Sequence, residues 1–245
     1  MKSAVDFDHF ADSYDRALGE ALAASGEDSR YFAEGRVSWL ADCLRGIGFT
    51  PRRLMDYGCG PGSTSPILLE RIGAESTVGV DVSRRSIELA RENHGSDRIQ
   101  FSAIREYSPA ACLDLVYCNG VFHHIPPQER AASLDFIRRS LRPGGLFCLW
   151  ENNPWNPGTQ YVMSRCAFDR DAIKIAPPEA RSLLRSAGFQ ILRMDFLFIF
   201  PRFLKALRPA EKFLSRLPFG AQYQILCLRP SESPLDSNLP AQAKI

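Results

Sequence analysis

Apolar positions along the chain switch between two periods. The runs "RRLMDY" (52–57), "TVGVDV" (77–82), "RIQFSA" (98–103), "LDLVYC" (113–118) and "LFCLWE" (146–151) read as strands, several nearly continuous in apolar residues. Helical patterns separate them. One helix is expected around Tyr31–Leu44, and Ser63 is the expected N-cap of another, with Pro66 in its first turn. Ser83 is set to cap a helix carrying Ile87, Ala90 and the Arg91 stem on one face, stopped by Gly95. Pro127 opens a helix with Leu134, Ile137 and Leu141 at helical spacing, closed by "RPGG" at 142–145. A last helix is expected over Pro178–Ala187, with Gly188 as its stop, followed by strands at 189–200 and 221–229.

Strands alternating with helices predict an α/β fold with a parallel sheet and helices on both faces. At 245 residues, one large domain is the economical division. It would span 1–230, with a helical cap at 1–50, a ligand-binding core at 51–151 and acceptor-side strands at 152–230. Residues 231–245, rich in Ser and Pro, are expected to be a loose tail.

Composition changes little. A net charge of +2, from 30 basic and 28 acidic residues, gives no nucleic-acid footprint. The seven cysteines are scattered without a C-x-x-C pair, which argues for a reducing compartment and against a metal site or disulfide framework. Acids near the start and the lack of a long apolar run point to a cytoplasmic chain with no membrane span.

The chemistry concentrates in "LMDYGCGPGS". Gly58 and Gly60 follow the first strand and open a helix, at the sheet edge where ligands bind in this fold class. Asp81 ends the second strand and can accept from both hydroxyls of a ribose. The glycines are spaced G-x-G-x-G, and Asp56 just before them suits a cationic amine or sulfonium better than a pyrophosphate. Both details point away from a nicotinamide dinucleotide.

On these residues the chain resembles the class I S-adenosylmethionine-dependent methyltransferases, in their small-molecule branch of the type 11/12 kind. "LMDYGCGPGS", "VGVDVS", "LDLVYCNGVFHHI" and "SLRPGGLFCLWE" stand in the family's order over roughly 50–150. The resemblance implies a Rossmann-like seven-stranded sheet with an antiparallel last strand. It implies S-adenosyl-L-methionine as cofactor and S-adenosyl-L-homocysteine as product. Gly58, Cys59 and Gly60 would line the methionine part, Asp56 would set the loop, and Asp81 with Val82 would hold the ribose. Ala103 and Ile104 stand where many relatives place an aspartate over adenine, so apolar packing is expected there. The Asn119 backbone carbonyl would accept from the amino group, and Tyr14 in "FDHFADSYD" would reach the carboxylate.

His123 and His124 follow the fourth strand, where the methyl group should point. Either His124 orients or deprotonates the acceptor, or the pair only shapes the pocket. Glu151, Asn152, Asn153, Trp155 and Tyr161 form a polar and aromatic group that contacts the acceptor or, equally, a proline-stiffened loop. The expected partner is a small-molecule or lipid-like acceptor, under the N-terminal segment and an insert at 201–220. An oxidoreductase or a catalytically silent cofactor-fold protein are the alternatives. No Tyr-x-x-x-Lys pair supports the former, since Tyr161 leads to Arg165.

The insert carries Phe203, Leu204, Leu207, Ala210, Leu214 and Leu217 at helical spacing, broken by Pro209 into two short helices, with five basic residues against Glu211. It would complete the core, form a lid, or lie on anionic lipid, leaving peripheral membrane contact open.

Overall fold

The structure is a computed structural model that describes residues 4–166, 168–169 and 172–231. The expected tail lies, from 232 on, outside the described residues. Seven strands form one sheet in the order β3-β2-β1-β4-β5-β7-β6. They are β1 (Arg53–Tyr57), β2 (Ser76–Asp81), β3 (Ile99–Ala103), β4 (Leu113–Asn119), β5 (Leu141–Asn152), β6 (Gln190–Leu197) and β7 (Gln222–Leu228). The first five pair in parallel, and β7 runs antiparallel between β5 and β6.

The period of two sends neighbouring apolar residues to opposite faces. Leu54 packs with Val37, Leu40, Leu68 and Leu115 on one side, while Met55 packs with Val116, Leu134, Ile137 and Phe147 on the other. The helices supplying these faces are α3 (Ser29–Gly46), α4 (Thr64–Ile72), α5 (Arg84–His94) and α6 (Pro127–Ser140). Two more, α1 (Ala4–Phe10) and α2 (Tyr14–Leu22), precede them, and α7 (Pro157–Arg165) and α8 (Pro177–Ser186) follow.

The capping expectations divide. The Ser83 side chain accepts from the Ser86 amide as an N-cap should. Ser63 makes no capping hydrogen bond, because its backbone is already helical. Leu141 is not the last turn of α6. It begins β5 by pairing with Leu113, and "RPGG" bulges within that strand before Leu146 meets Leu115. β6 stops at Leu197, short of 200, since Phe198 takes φ +61° and turns the chain away.

The insert also differs from expectation. Residues Arg202–Ala210 form a kinked 3-10 stretch, followed by one α turn, α9 (Glu211–Leu214), and nothing in either is buried. Its apolar residues therefore do not complete the core. It is anchored by polar contacts. Glu211 accepts from the amides of Phe198 (3.2 Å) and Phe200 (2.9 Å), and Arg208 donates to Glu27 (2.8 Å).

Candidate active site

β1 ends in the loop that the glycines shape. The Gly58 and Cys59 amides both donate to the Val80 carbonyl, at 2.7 and 3.1 Å, tying the loop to β2. Gly58 has φ +73°, and a Cβ there would stand 2.3 Å from Val121 Cγ2. Gly60 has φ +53° and no atom within 4 Å of a Cβ position, so its backbone faces open space. The Gly60 amide donates to Asp81 Oδ2 (2.8 Å) and the Ser83 amide to Oδ1 (2.9 Å). One carboxylate thus fixes the loop and the start of α5, and each oxygen keeps a lone pair for a ligand. Burial pushes the Asp81 pKa up, against the pull of these amides.

Asp56 sits beneath the loop and accepts from Ser65 Oγ at 2.8 Å. Burial raises its pKa to about 7; the Ser65 bond opposes the shift and the Asp81 charge adds to it. The Cys59 thiol is pushed well up by burial, which leaves it unreactive.

The loop opens into a cavity of about 1490 Å³. His123 and His124, in a 3-10 turn after β4, also line it. His123 Nδ1 lies 2.6 Å from Glu151 Oε2, and its Nε2 lies 3.3 Å from Asp169 Oδ1. His124 Nε2 is also 3.3 Å from Asp169 Oδ1. Burial works against charge on His123, but Glu151 and Asp169 outweigh it and lift the pKa to about 10. Burial lowers that of His124, and the charged His123 adds to this against the pull of Asp169. The result is a charged histidine behind a neutral one, with Asp169 held below the ordinary carboxylate range by its bonds to both despite its burial. Phe7 and Phe168 stand edge-on to the His124 ring.

Of the residues singled out from sequence, Tyr14, Asp56, Gly58, Cys59, Gly60, Asp81, Val82, Ile104, Asn119, His123, His124, Asn152 and Tyr161 line this cavity. Tyr14 stacks on Phe168 with centroids 4.8 Å apart. Ala103 does not line it; it is buried in β3, and Ile104 presents the lining side chain instead. Glu151 lies behind His123, where it also accepts the Phe122 amide at 2.8 Å. Asn153 is wholly buried and donates to the Pro218 and Gly220 carbonyls, stitching the loop after β5 to the chain before β7. Trp155 is exposed beside Pro218 and Arg216. These three are therefore outside the cavity.

Two lining residues escape a reading by motif. Asp169 follows α7, far along the chain from the histidines. Arg36 is buried in α3, with Nε on the Tyr117 hydroxyl (3.1 Å) and Nη1 on Gln222 Oε1 (3.0 Å). Among the described residues no carboxylate pairs with it. The donor atoms of His123, His124 and Asp169 lie within 4.8 Å of one another, close enough to hold a cation, although the sequence argued against a metal site.

This strand order, glycine loop and acid at the end of β2 define a class I methyltransferase fold. A family model described as a methyltransferase domain matches residues 54–145. Trans-aconitate 2-methyltransferase of Azoarcus sp. is 32% identical over 126 residues, 50% of this chain and 49% of that one. Its counterpart in Methylobacterium nodulans is 31% identical over 159 residues, 64% and 61% of the two chains. The chain thus spans about half the length of the curated relatives it matches. The crystal structure of a 1,6-didemethyltoxoflavin-N1-methyltransferase from Burkholderia thailandensis, with bound 1,6-didemethyltoxoflavin and S-adenosylhomocysteine, superposes with a TM-score of 0.60. The two are 18% identical over 94% of this chain and 92% of that one. Residues 54–145 thus match a methyltransferase domain, and the fold is that of the class I S-adenosylmethionine-dependent methyltransferases, to which the chain is similar.

The residues present fit that cofactor. Asn119 lines the cavity, and its Oδ1 is buried with no hydrogen-bond partner among the described residues, an unused acceptor in the cavity wall. The Asp81 oxygens suit ribose hydroxyls, and the Arg36 guanidinium suits a carboxylate.

Proposed function

We propose that the protein transfers the methyl group of S-adenosyl-L-methionine to a small, apolar or lipid-like acceptor. The single observation that carries this reading is the continuity of the cavity, which joins the Gly58–Gly60 loop and Asp81 to neutral His124. Bound S-adenosyl-L-methionine supplies an activated methyl group, which leaves the protein the tasks of alignment and exclusion of water. Asp81, Asn119 and Arg36 hold the donor at its ribose, amine and carboxylate. Asp56 adds negative charge beneath the cationic end.

His124 accepts the acceptor's proton or orients its lone pair, and Asp169 steers the His124 ring. Charged His123, clamped by Glu151, keeps Asp169 ionised. The acceptor end carries Phe7, Phe10, Phe32, Phe198, Phe200 and Phe203. Such an arm favours an apolar acceptor over the aconitate in the relatives' names, which has three carboxylates to satisfy. The N-terminal helices and the 201–220 insert cover this arm, both contributing to its lining.

The test is incubation of the protein and the methyl donor with aqueous and organic extracts, followed by mass spectrometry for one added methyl group. A methylated product from the organic extract is expected. Methylation confined to small polyacids would overturn the apolar-acceptor reading.

A further inference from the structure

We infer that residues 201–220 dock the protein onto an anionic lipid surface, with the cavity mouth beside the contact. The segment presents Phe203 at 81% exposure, Phe213 at 77% and Phe219 at 59%, with Leu207 and Leu217 close to half exposed. Exposed single apolar residues are ordinary, but six large ones within 17 residues, Leu204 included, form a patch. This is no consequence of poor anchoring. Glu211, Arg208 and Arg202 fix the backbone to Phe198, Phe200 and the loop at Gly26–Glu27, and the Ser215 carbonyl accepts from the Phe196 amide at 2.7 Å. The segment is held in place with its apolar side chains directed outward.

Charge identifies the occupant. Arg208 is compensated by Glu27, and the one acid of the segment, Glu211, is engaged with backbone amides. Arg202, Lys205, Lys212 and Arg216 remain exposed around the apolar side chains, with Asp195 3.6 Å beneath Arg216. The Lys212 ammonium lies 4.9 Å over the Phe213 ring, so its charge and that apolar ring occupy one spot. Aromatic residues ringed by cations match the interface of an anionic bilayer, which attracts Lys and Arg lying near its surface. A second copy of this chain would bring the same four cations against themselves. A bilayer meets them with phosphate.

Two further placements agree. Trp155 adjoins the patch: its neighbour Asn156 donates to the Phe219 carbonyl at 2.7 Å, and its own indole half-emerges beside Pro218. Trp is suited to a boundary between apolar and wet surroundings. Phe200, Pro201, Phe203 and Arg208 also line the cavity, so docking would open the acceptor arm toward the lipid. The docking itself does not depend on the methyl-transfer reading.

Co-sedimentation with vesicles of phosphatidylcholine alone, and of phosphatidylcholine with phosphatidylglycerol, tests the inference at low and high salt. Neither methyl donor nor acceptor is present, so its failure is separable from failure of the proposed reaction. The expected result is binding to the anionic vesicles, weakened by salt. The double variant Lys205→Glu/Lys212→Glu is expected to lose it by about 10-fold or more, and Phe213→Ser/Phe219→Ser by a similar factor. Both should keep native circular dichroism and S-adenosylhomocysteine binding. Absence of binding to either vesicle would overturn the inference, as would binding that neither variant reduces. Dimerisation in solution that Phe213→Ser/Phe219→Ser abolishes, without vesicle binding, would assign the patch to a second copy and overturn it equally.

Discussion

His123 and Glu151 meet at 2.6 Å, imidazole to carboxylate, with both side chains almost wholly buried. This pair makes the two adjacent histidines unequal. His123 is clamped and charged, while His124, one residue on, is shifted toward neutrality and lines the cavity. On the proposed function this inequality divides the labour: His124 would meet the acceptor and His123 would hold the network in place.

The His124→Ala variant should therefore lose turnover roughly 10²-fold or more while binding S-adenosylhomocysteine almost normally. Its acid limb should flatten, because the lowered pKa of His124 puts that limb below the ordinary histidine value of 6.5 in the wild type. Asp169→Asn should lower turnover less and shift the limb. Steady-state kinetics across pH measure both, and near-normal turnover in His124→Ala would leave that ring a packing element.

Asp81→Ala should weaken S-adenosylhomocysteine binding by about 1.5–3 kcal/mol for each ribose hydrogen bond lost. The carboxylate also ties Gly60 to Ser83, so Asp81→Asn is the companion variant that keeps the shape. Titration calorimetry reads the affinity and circular dichroism the fold. Unchanged affinity in a folded Asp81→Ala would remove the ribose assignment.

Arg36→Lys should weaken the same binding by several-fold, since an ammonium cannot reproduce the guanidinium's fork toward Tyr117, Gln222 and a carboxylate at once. A decarboxylated analogue of S-adenosylhomocysteine should not distinguish the variant from the wild type. Equal discrimination by both proteins would exclude Arg36 from carboxylate binding.

Stability should fall with rising pH on two counts. His123 has a folded pKa of about 10 against 6.5 for the free group, so its contribution is complete below 6.5 and lost as pH rises through 10. Asp56 is raised from 3.8 to about 7, and its contribution disappears in the same direction as pH passes 7. In each window the folded state holds the extra proton, so the slope is negative, at most about 1.4 kcal/mol per pH unit for each proton. Thermal unfolding of the ligand-free protein should show the midpoint declining from mildly acid to alkaline pH, the lower part through Asp56 and the upper through His123. His123→Gln should flatten the upper part of that decline.

The parts legible in the sequence are those whose chemistry is local. The glycine loop and Asp81 follow apolar strands directly, and the strand ends fix their position. The histidines were legible for the same reason, as the continuation of β4. Asp169 was not, because no periodicity in the sequence around it places it against the histidines. Arg36 lies within the helix expected around Tyr31–Leu44 with nothing in the sequence to single it out, and it is buried because α3 lies over Tyr117 and Gln222. "ENNPW" reads as one polar group, yet the period of two along β5 puts Glu151 behind His123 and Asn152 into the cavity. The 201–220 stripe fits helical spacing on paper. Pro209 lacks an amide donor, and Glu211 engages the amides of Phe198 and Phe200, so the segment settles as 3-10 turns outside the core.

The central claim, that one cavity brings a methyl donor to an apolar acceptor, is tested most directly by following an isotopically labelled methyl group. The purified protein is supplied with labelled S-adenosyl-L-methionine and an organic extract, and the phases are separated and counted. Protein-dependent label is expected in the organic phase, reduced roughly 10²-fold or more in His124→Ala and sharply in Asp81→Ala. Tight binding of S-adenosylhomocysteine with no label transferred to any acceptor, organic or aqueous, would contradict it.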